Sequence, residues 1–213
     1  MKQSIFPIAA LVLFTVILSG CAAGGTANPW SPAYAEPAPL ATAQMKLVPL
    51  KPEHAQMDYD AFMSSREHLR ETLRWGNWPS EDATVEANRT DLERHWREHQ
   101  ANEAYTYAVL SPDGSAYLGC VYLKPIPEDQ MTDLPRPAVR VSYWVTESGL
   151  ERNHDRQLVR SLHDWLNQAW GFRTIVMPLH RANDRGRIIA VENGFRPEPA
   201  DTDAERLSYI SQR

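Results

Sequence analysis

The sequence predicts an α/β fold of the α+β type, a mixed sheet with helices on both faces. Three observations carry that prediction. Stretches with a period near 3.6 alternate with short runs rich in β-branched and aromatic residues. The runs come as one, then three in succession, then two more that each follow a helix. Strand–turn–helix units recur in the second half, and such units lay helices across the faces of a sheet.

Each element has its own signal. "MKLVPL" (45–50) is a short strand. "EHAQMDYDAFMSSREHLRETL" (53–73) carries Met57, Phe62, Met63, Leu69 and Leu73 at helical spacings and reads as two helical pieces. "EDATVEANRTDLERHWREHQ" (81–100) is a further helical segment with Leu92 and Trp96 on one face. "AYTYAVL" and "AYLGCVYLKPI" are strands joined by the hairpin signal "SPDGS". "AVRVSYWV" (138–145) alternates, with Val139, Val141, Tyr143 and Val145 on one side. Leu158, Leu162, Trp165, Leu166 and Ala169 form one apolar stripe of the next helix, which Gly171 stops. "RTIVMPL" is a strand, "DRGRIIAVENGF" a helix closed by Gly194, and "ERLSYIS" the last strand.

The beginning of the chain is of another kind. An apolar run from Ile5 to Leu18 follows Lys2. It falls short of the roughly 20 apolar residues of a spanning helix and fits the core of an export signal. "LSGC" (18–21) resembles the lipobox of bacterial lipoproteins. That resemblance implies cleavage before Cys21, a diacylglycerol on its thiol and an acylated amino terminus. Two or more chains anchor a protein stably without spanning the bilayer. Ala22 stands where an aspartate would signal inner-membrane retention, so the resemblance implies an outer-membrane destination in a host that has one. The expected organisation is a signal over 1–20, an Ala/Pro/Gly-rich tether over 21–44 and one folded domain over 45–213.

Composition narrows the function. The net charge is -5, and losing Lys2 with the signal makes it -6, so a nucleic-acid partner is not expected. Lipidation of Cys21 leaves Cys120 without a disulfide partner, and its apolar run "AYLGCVYL" marks it as a small buried hydrophobe. Walker-type phosphate loops, dinucleotide fingerprints and Gly-x-Ser-x-Gly elbows are absent. Oligomeric state is not legible.

"NDRGRIIAVENGF" (183–195), in this order of elements, resembles the closing element of the GNAT (Gcn5-related) N-acetyltransferases. "REHLRETLRWGNWPSED" and "YTYAVLSPDGSAYLGCVYLKP" also look like a bacterial subfamily of that fold. The resemblance implies a mostly antiparallel sheet whose fourth and fifth strands splay apart, with acetyl-CoA as acyl donor and a small-molecule or peptide amine as acceptor. It places the cofactor diphosphate at the turn after the fourth strand. There Asn153 and Asp155 stand where the family has glycines, and Arg152 and Arg156 supply guanidinium groups instead. Asn183 keeps its family position, as a cofactor contact or a helix cap. Tyr143 and His180 are the groups nearest the expected thioester, and alanine at 190 replaces a tyrosine that protonates the departing thiolate in many members.

Two other readings stand beside the acetyltransferase. A GNAT-fold module tethered to the membrane could bind a ligand or partner without turnover. "HWREH" also spells the His-x-x-Glu-His pattern of inverted zinc peptidases, with His95 and His99 one turn apart and Glu98 as base. The same stretch is equally a solvated helix face laced with i,i+4 ion pairs, and no metal is assigned to the chain.

Overall fold

The structure, a computed structural model, describes Trp30 and residues 36–126, 134–198 and 205–213. The apolar run of the export signal and Cys21 lie outside the described residues. Strand β1 (Lys46–Pro49) leads through a 3-10 turn (Pro52–His54) into helices α1 (Ala55–Ser64), α2 (Arg66–Leu73) and α3 (Val85–Gln100). Strands β2 (Tyr105–Leu110), β3 (Tyr117–Lys124) and β4 (Ala138–Val145) follow. Then come α4 (Glu147–Glu151), α5 (His154–Gln168), β5 (Thr174–His180), α6 (Asp184–Glu192), β6 (Arg196–Pro197) and β7 (Arg206–Gln212). The predicted α/β order is the observed one, with the short α4 and β6 added.

The seven strands form one sheet in the order β1-β2-β3-β4-β5-β7-β6. Every neighbouring pair is antiparallel except β4 and β5. That parallel pair is registered only at Ala138↔Thr174, Val139↔Ile175 and Arg140↔Val176. Beyond Arg140 the two strands part, while β5 stays paired with β7 out to His180. The edge of β4 from Val141 onward is therefore free of a strand partner on that side.

Alternation along the strands divides the core in two. Val139, Val141 and Val145 pack with Leu158, Leu162, Trp165 and Leu166 of α5. Cys120 and Trp144 point the other way, against Phe62, Leu69, Leu73 and Leu92 of the first three helices. Cys120 is fully buried, and burial, then the Asp58 carboxylate, push its thiol pKa well up, so it packs as a hydrophobe. Gly119 lets β3 approach β4: a Cβ there would lie 2.0 Å from the Trp144 carbonyl oxygen.

Local chemistry sets the helix ends. The Thr84 hydroxyl caps α3 by accepting from the Ala87 N–H. Ser65 leaves helical geometry between α1 and α2, and its hydroxyl accepts from the Glu147 N–H at 2.9 Å, hooking that corner to the start of α4. On α3 the buried side chains are Leu92, His95 and His99, whereas Trp96 is only half-buried, because the imidazoles find polar partners within the fold. Ala169, expected in the stripe of α5, caps that helix and is exposed.

The segment expected to be a tether is in part laid on the domain. Trp30 is 2% exposed, with its ring 5.4 Å from Tyr105 and 5.9 Å from Phe172. Glu36 accepts from the Tyr107 hydroxyl at 2.5 Å and meets His99 Nε2 at 3.0 Å. The Trp165 indole N–H donates to the Ala38 carbonyl at 3.1 Å. A chain without hydrophobic period is thus held by one aromatic plug and one carboxylate. Among the described residues no helix is long and apolar enough to cross a membrane.

Candidate active site

Where β4 and β5 part, a cleft of about 200 Å³ opens. Tyr143, Trp144 and Val145 of β4 form one wall, and Asn183, Arg185 and Gly186 at the start of α6 form the other. Leu150 and Asp155 close its mouth.

The turn after β4 is built by side-chain caps and one close approach. The Thr146 hydroxyl accepts from the Gly149 N–H, and Gly149 must be small, since a Cβ there would lie 2.7 Å from Val145 Cγ1. Asn153 takes left-handed geometry, φ 58° and ψ 31°, as the residue that starts α5. Asparagine tolerates that region better than most residues other than glycine, which accounts for it at this turn.

Asp155 does not point its charge at the cleft unopposed. It is 3% exposed and gripped by Arg185, Nε to Oδ2 at 2.5 Å and Nη2 to Oδ1 at 2.9 Å. Arg185 Nη2 also donates to the Leu150 carbonyl and to Asn153 Oδ1, each at 3.2 Å. The hydrogen bond from Asp155 raises the guanidinium pKa still further, so Arg185 keeps its charge. Arg156 is committed to Glu192 of α6, while Arg152 is exposed. Of the two arginines expected at the diphosphate, one is thus engaged elsewhere. Arg185 stands where the reading by spacing placed no cation.

Asn183 caps α6: its Oδ1 accepts from the Gly186 N–H at 2.8 Å. Gly186 is required there, because a Cβ would lie 2.7 Å from the folded-back amide. The same amide lines the cleft. Tyr143 and His180 line a narrow neck beside it, together with Ser142 and Trp75. Burial, and then the Asp155 carboxylate, push the Tyr143 pKa up, so its hydroxyl holds its proton. His180 Nδ1 accepts from the Ala182 N–H at 3.1 Å, which leaves the neutral ring's proton on Nε2. Ala190 is fully buried in the core and does not reach the cleft.

The "HWREH" histidines serve other ends. His95 Nδ1 lies 3.2 Å from the Thr106 hydroxyl, and its ring packs 5.5 Å from Tyr122. His99 holds Glu36, and Glu98 Oε1 accepts from Arg94. Among the described residues no group of three or more His, Cys, Asp or Glu is arranged to hold a metal. The pattern is a correct helix with the wrong chemistry attached.

The sheet is split between its two parallel neighbours, and a helix start faces the split. The chain belongs to the acetyltransferase (GNAT) domain family, whose match covers residues 44–196. Solved structures agree on the fold. RimL, a ribosomal α-N-protein acetyltransferase in complex with coenzyme A, is 17% identical, with a TM-score of 0.65 over 81% of this chain and 96% of that one. The ribosomal-protein-S5-alanine acetyltransferase from Vibrio fischeri is 18% identical, with a TM-score of 0.65 over 82% and 96%. The microcin C7 self-immunity acetyltransferase MccE, in complex with acetyl-CoA and AMP, is 12% identical, with a TM-score of 0.64 over 81% and 94%. The comparison with curated proteins finds no match.

Proposed function

We propose that the chain transfers an acetyl group from acetyl-CoA to a primary amine. The observation that carries this is the edge of β4 beyond Arg140, unpaired with β5 and opening into the cleft. Backbone groups of Val141 to Val145 on that edge suit the amides of a pantetheine arm, and the first-turn N–H groups of α5 suit its diphosphate. Arg152 adds positive charge at that end, and Arg185 offsets the Asp155 carboxylate. When bound, the cofactor supplies the thioester carbonyl.

The residues then divide the proton work. Tyr143 keeps its proton and lines the neck of the cleft, so it would be the group to return a proton to a departing thiolate. His180, with Nδ1 occupied, offers an N–H rather than a lone pair, so the ammonium proton of the acceptor leaves through water. Relatives of the fold that act on ribosomal proteins support an amine acceptor. Mass spectrometry of amine acceptors incubated with acetyl-CoA tests the reading: a mass gain of one acetyl group that falls at least tenfold in Tyr143→Phe supports it, and no acetylated product from any amine sinks it.

Two observations favour a second reading, in which the domain binds without turnover. Asp155 and Arg185 close on each other at the diphosphate end, and Ala190 offers no acid. Binding of CoA with no transfer would select it. We further propose that Cys21 carries lipid and holds the domain at a membrane, a reading supported by the apolar run ending in "LSGC".

A further inference from the structure

A second cavity, of about 290 Å³, lies on the α1–α3 side of the sheet and is larger than the cleft itself. It meets the neck of the site, because Trp75 and Ser142 line both. Its aromatic wall is deliberately built. The chain turns tightly at Trp75–Trp78, where the Trp78 N–H donates to the Trp75 carbonyl and Gly76 supplies a φ of 60°. Arg70 ties the turn through Asn77 Oδ1 at 3.0 Å, and Arg206 of β7 ties its approach through the Arg74 carbonyl at 2.6 Å. Both indoles are left half-buried, 5.7 Å apart, and the Tyr122 ring stands edge-on to Trp75 at 5.7 Å. Half-exposed aromatic rings on a stapled turn are a binding wall for another flat ring.

Charge is distributed unevenly around that wall. Asp91 is already engaged by Arg94 at 2.6 Å and lies 3.4 Å from His95, so the acidic side is internally balanced. Lys124 and Arg140 face each other in register at the other end, and Lys124 makes no ion pair among the described residues. One register step nearer the neck on the same face come Tyr122 and Ser142. Two residues of strand span about 7 Å, roughly the length of a benzene ring with substituents at opposite ends.

We propose that this cavity is the acceptor pocket for a primary amine carried on a flat aromatic ring with an anionic group at its far end. The ring lies on Trp75 and Trp78, the anion meets Lys124, and the amine reaches past Ser142 to the neck. The amine's role rests on the acetyl-transfer reading, whereas selectivity for ring and anion stands by itself. The volume is at the lower end for ligand pockets, which suits a small molecule.

The test uses three probes with the full chain: para-(aminomethyl)benzoate, benzylamine, which lacks the anion, and ε-aminocaproate, which lacks the ring. Binding is read without cofactor by quenching of tryptophan fluorescence and by calorimetry. The expected result is that para-(aminomethyl)benzoate binds about tenfold more tightly than either partial probe. Lys124→Gln should remove the preference over benzylamine, and Trp75→Leu the preference over ε-aminocaproate, with Trp75→Phe restoring it. Lys124 is exposed, so its variant tests the anion contact without risk to folding. Equal affinity for all three probes, no binding of any, or indifference to Lys124→Gln overturns the proposal. Selective binding with no acetylation of any amine leaves the pocket standing and removes the acetyltransferase reading; acetylation of amines without this selectivity does the reverse.

Discussion

Asp155 and Arg185, thirty positions apart, form a two-bonded ion pair that ties the start of α5 to the start of α6 across the mouth of the cleft. The carboxylate is nearly fully buried and the guanidinium side chain is 43% exposed. Removing Arg185 strands a buried charge. A loss of about 2 kcal/mol is expected for Arg185→Ala, less than for a fully buried pair because water reaches the guanidinium side. Asp155→Ala in the same chain should recover part of that loss, since no charge is then stranded. Denaturant unfolding of the two single variants and the double variant checks this, and strictly additive losses would contradict it.

Glu36 links the N-terminal segment to pH. Burial acts to raise its carboxyl pKa, but the His99 bond, the Tyr107 hydroxyl and the His99 charge together outweigh burial and leave it below the ordinary 4.5. A carboxyl lowered by folding contributes stability above its unfolded pKa and loses it as pH falls through the folded value. The segment around Trp30 should therefore stay seated at neutral pH and loosen below about pH 4.5. Fluorescence of Trp30, read against Trp30→Phe, should shift to the red in that range, and Glu36→Gln should show the loosened signal at neutral pH. A Trp30 signal constant down to global unfolding contradicts the account.

How much of this was legible in the sequence differs from element to element. "AVRVSYWV" alternates cleanly and is β4 to the residue, and the Asn183–Phe195 stretch carries both its cap and its closing glycine. Periodicity sees such local patterns. It could not see Trp30, because one aromatic plug in an Ala/Pro-rich run has no period. Nor could it see Arg185 on Asp155, a pair between two helices that strand β5 separates in sequence and one core face brings together. The face of α3 was misread for a related reason: His95 and His99 count as polar by composition, yet Thr106 and Glu36 satisfy them inside the fold. The same satisfaction accounts for a zinc-like pattern that serves as packing.

Gly119 is a test of the sheet itself. Its Cβ would stand 2.0 Å from the Trp144 carbonyl oxygen, a backbone atom that cannot swing aside. Gly119→Ala should cost more than about 3 kcal/mol or displace β4 at Trp144, which lines the cleft. Thermal unfolding measures it. A variant as stable as the wild type would show that β3 and β4 do not approach as described.

If Cys21 is lipidated, the domain is leashed closely. Nine peptide steps from Cys21 to the seated Trp30 span at most about 30 Å. Trp30 packs beside Tyr105 and Phe172, at the starts of β2 and β5, whereas the cleft lies at the far ends of β4 and β5. The cleft would then face away from the bilayer. Wild type expressed with its signal should enter a detergent phase and Cys21→Ser should not; equal partitioning counts against lipidation.

Acetyl transfer in this cleft requires that the split between β4 and β5 receive coenzyme A. Calorimetric titration of CoA into the full chain is the direct measurement. Saturable one-to-one binding is predicted, weakened at least tenfold by Arg185→Ala, which leaves the Asp155 carboxylate unopposed beside the diphosphate, and left unchanged by Lys124→Gln. Asp155→Gly, which releases Arg185 toward the diphosphate, should tighten it. Absence of heat at millimolar CoA in both the wild type and Asp155→Gly would contradict the claim, and the cleft would then belong to a different ligand.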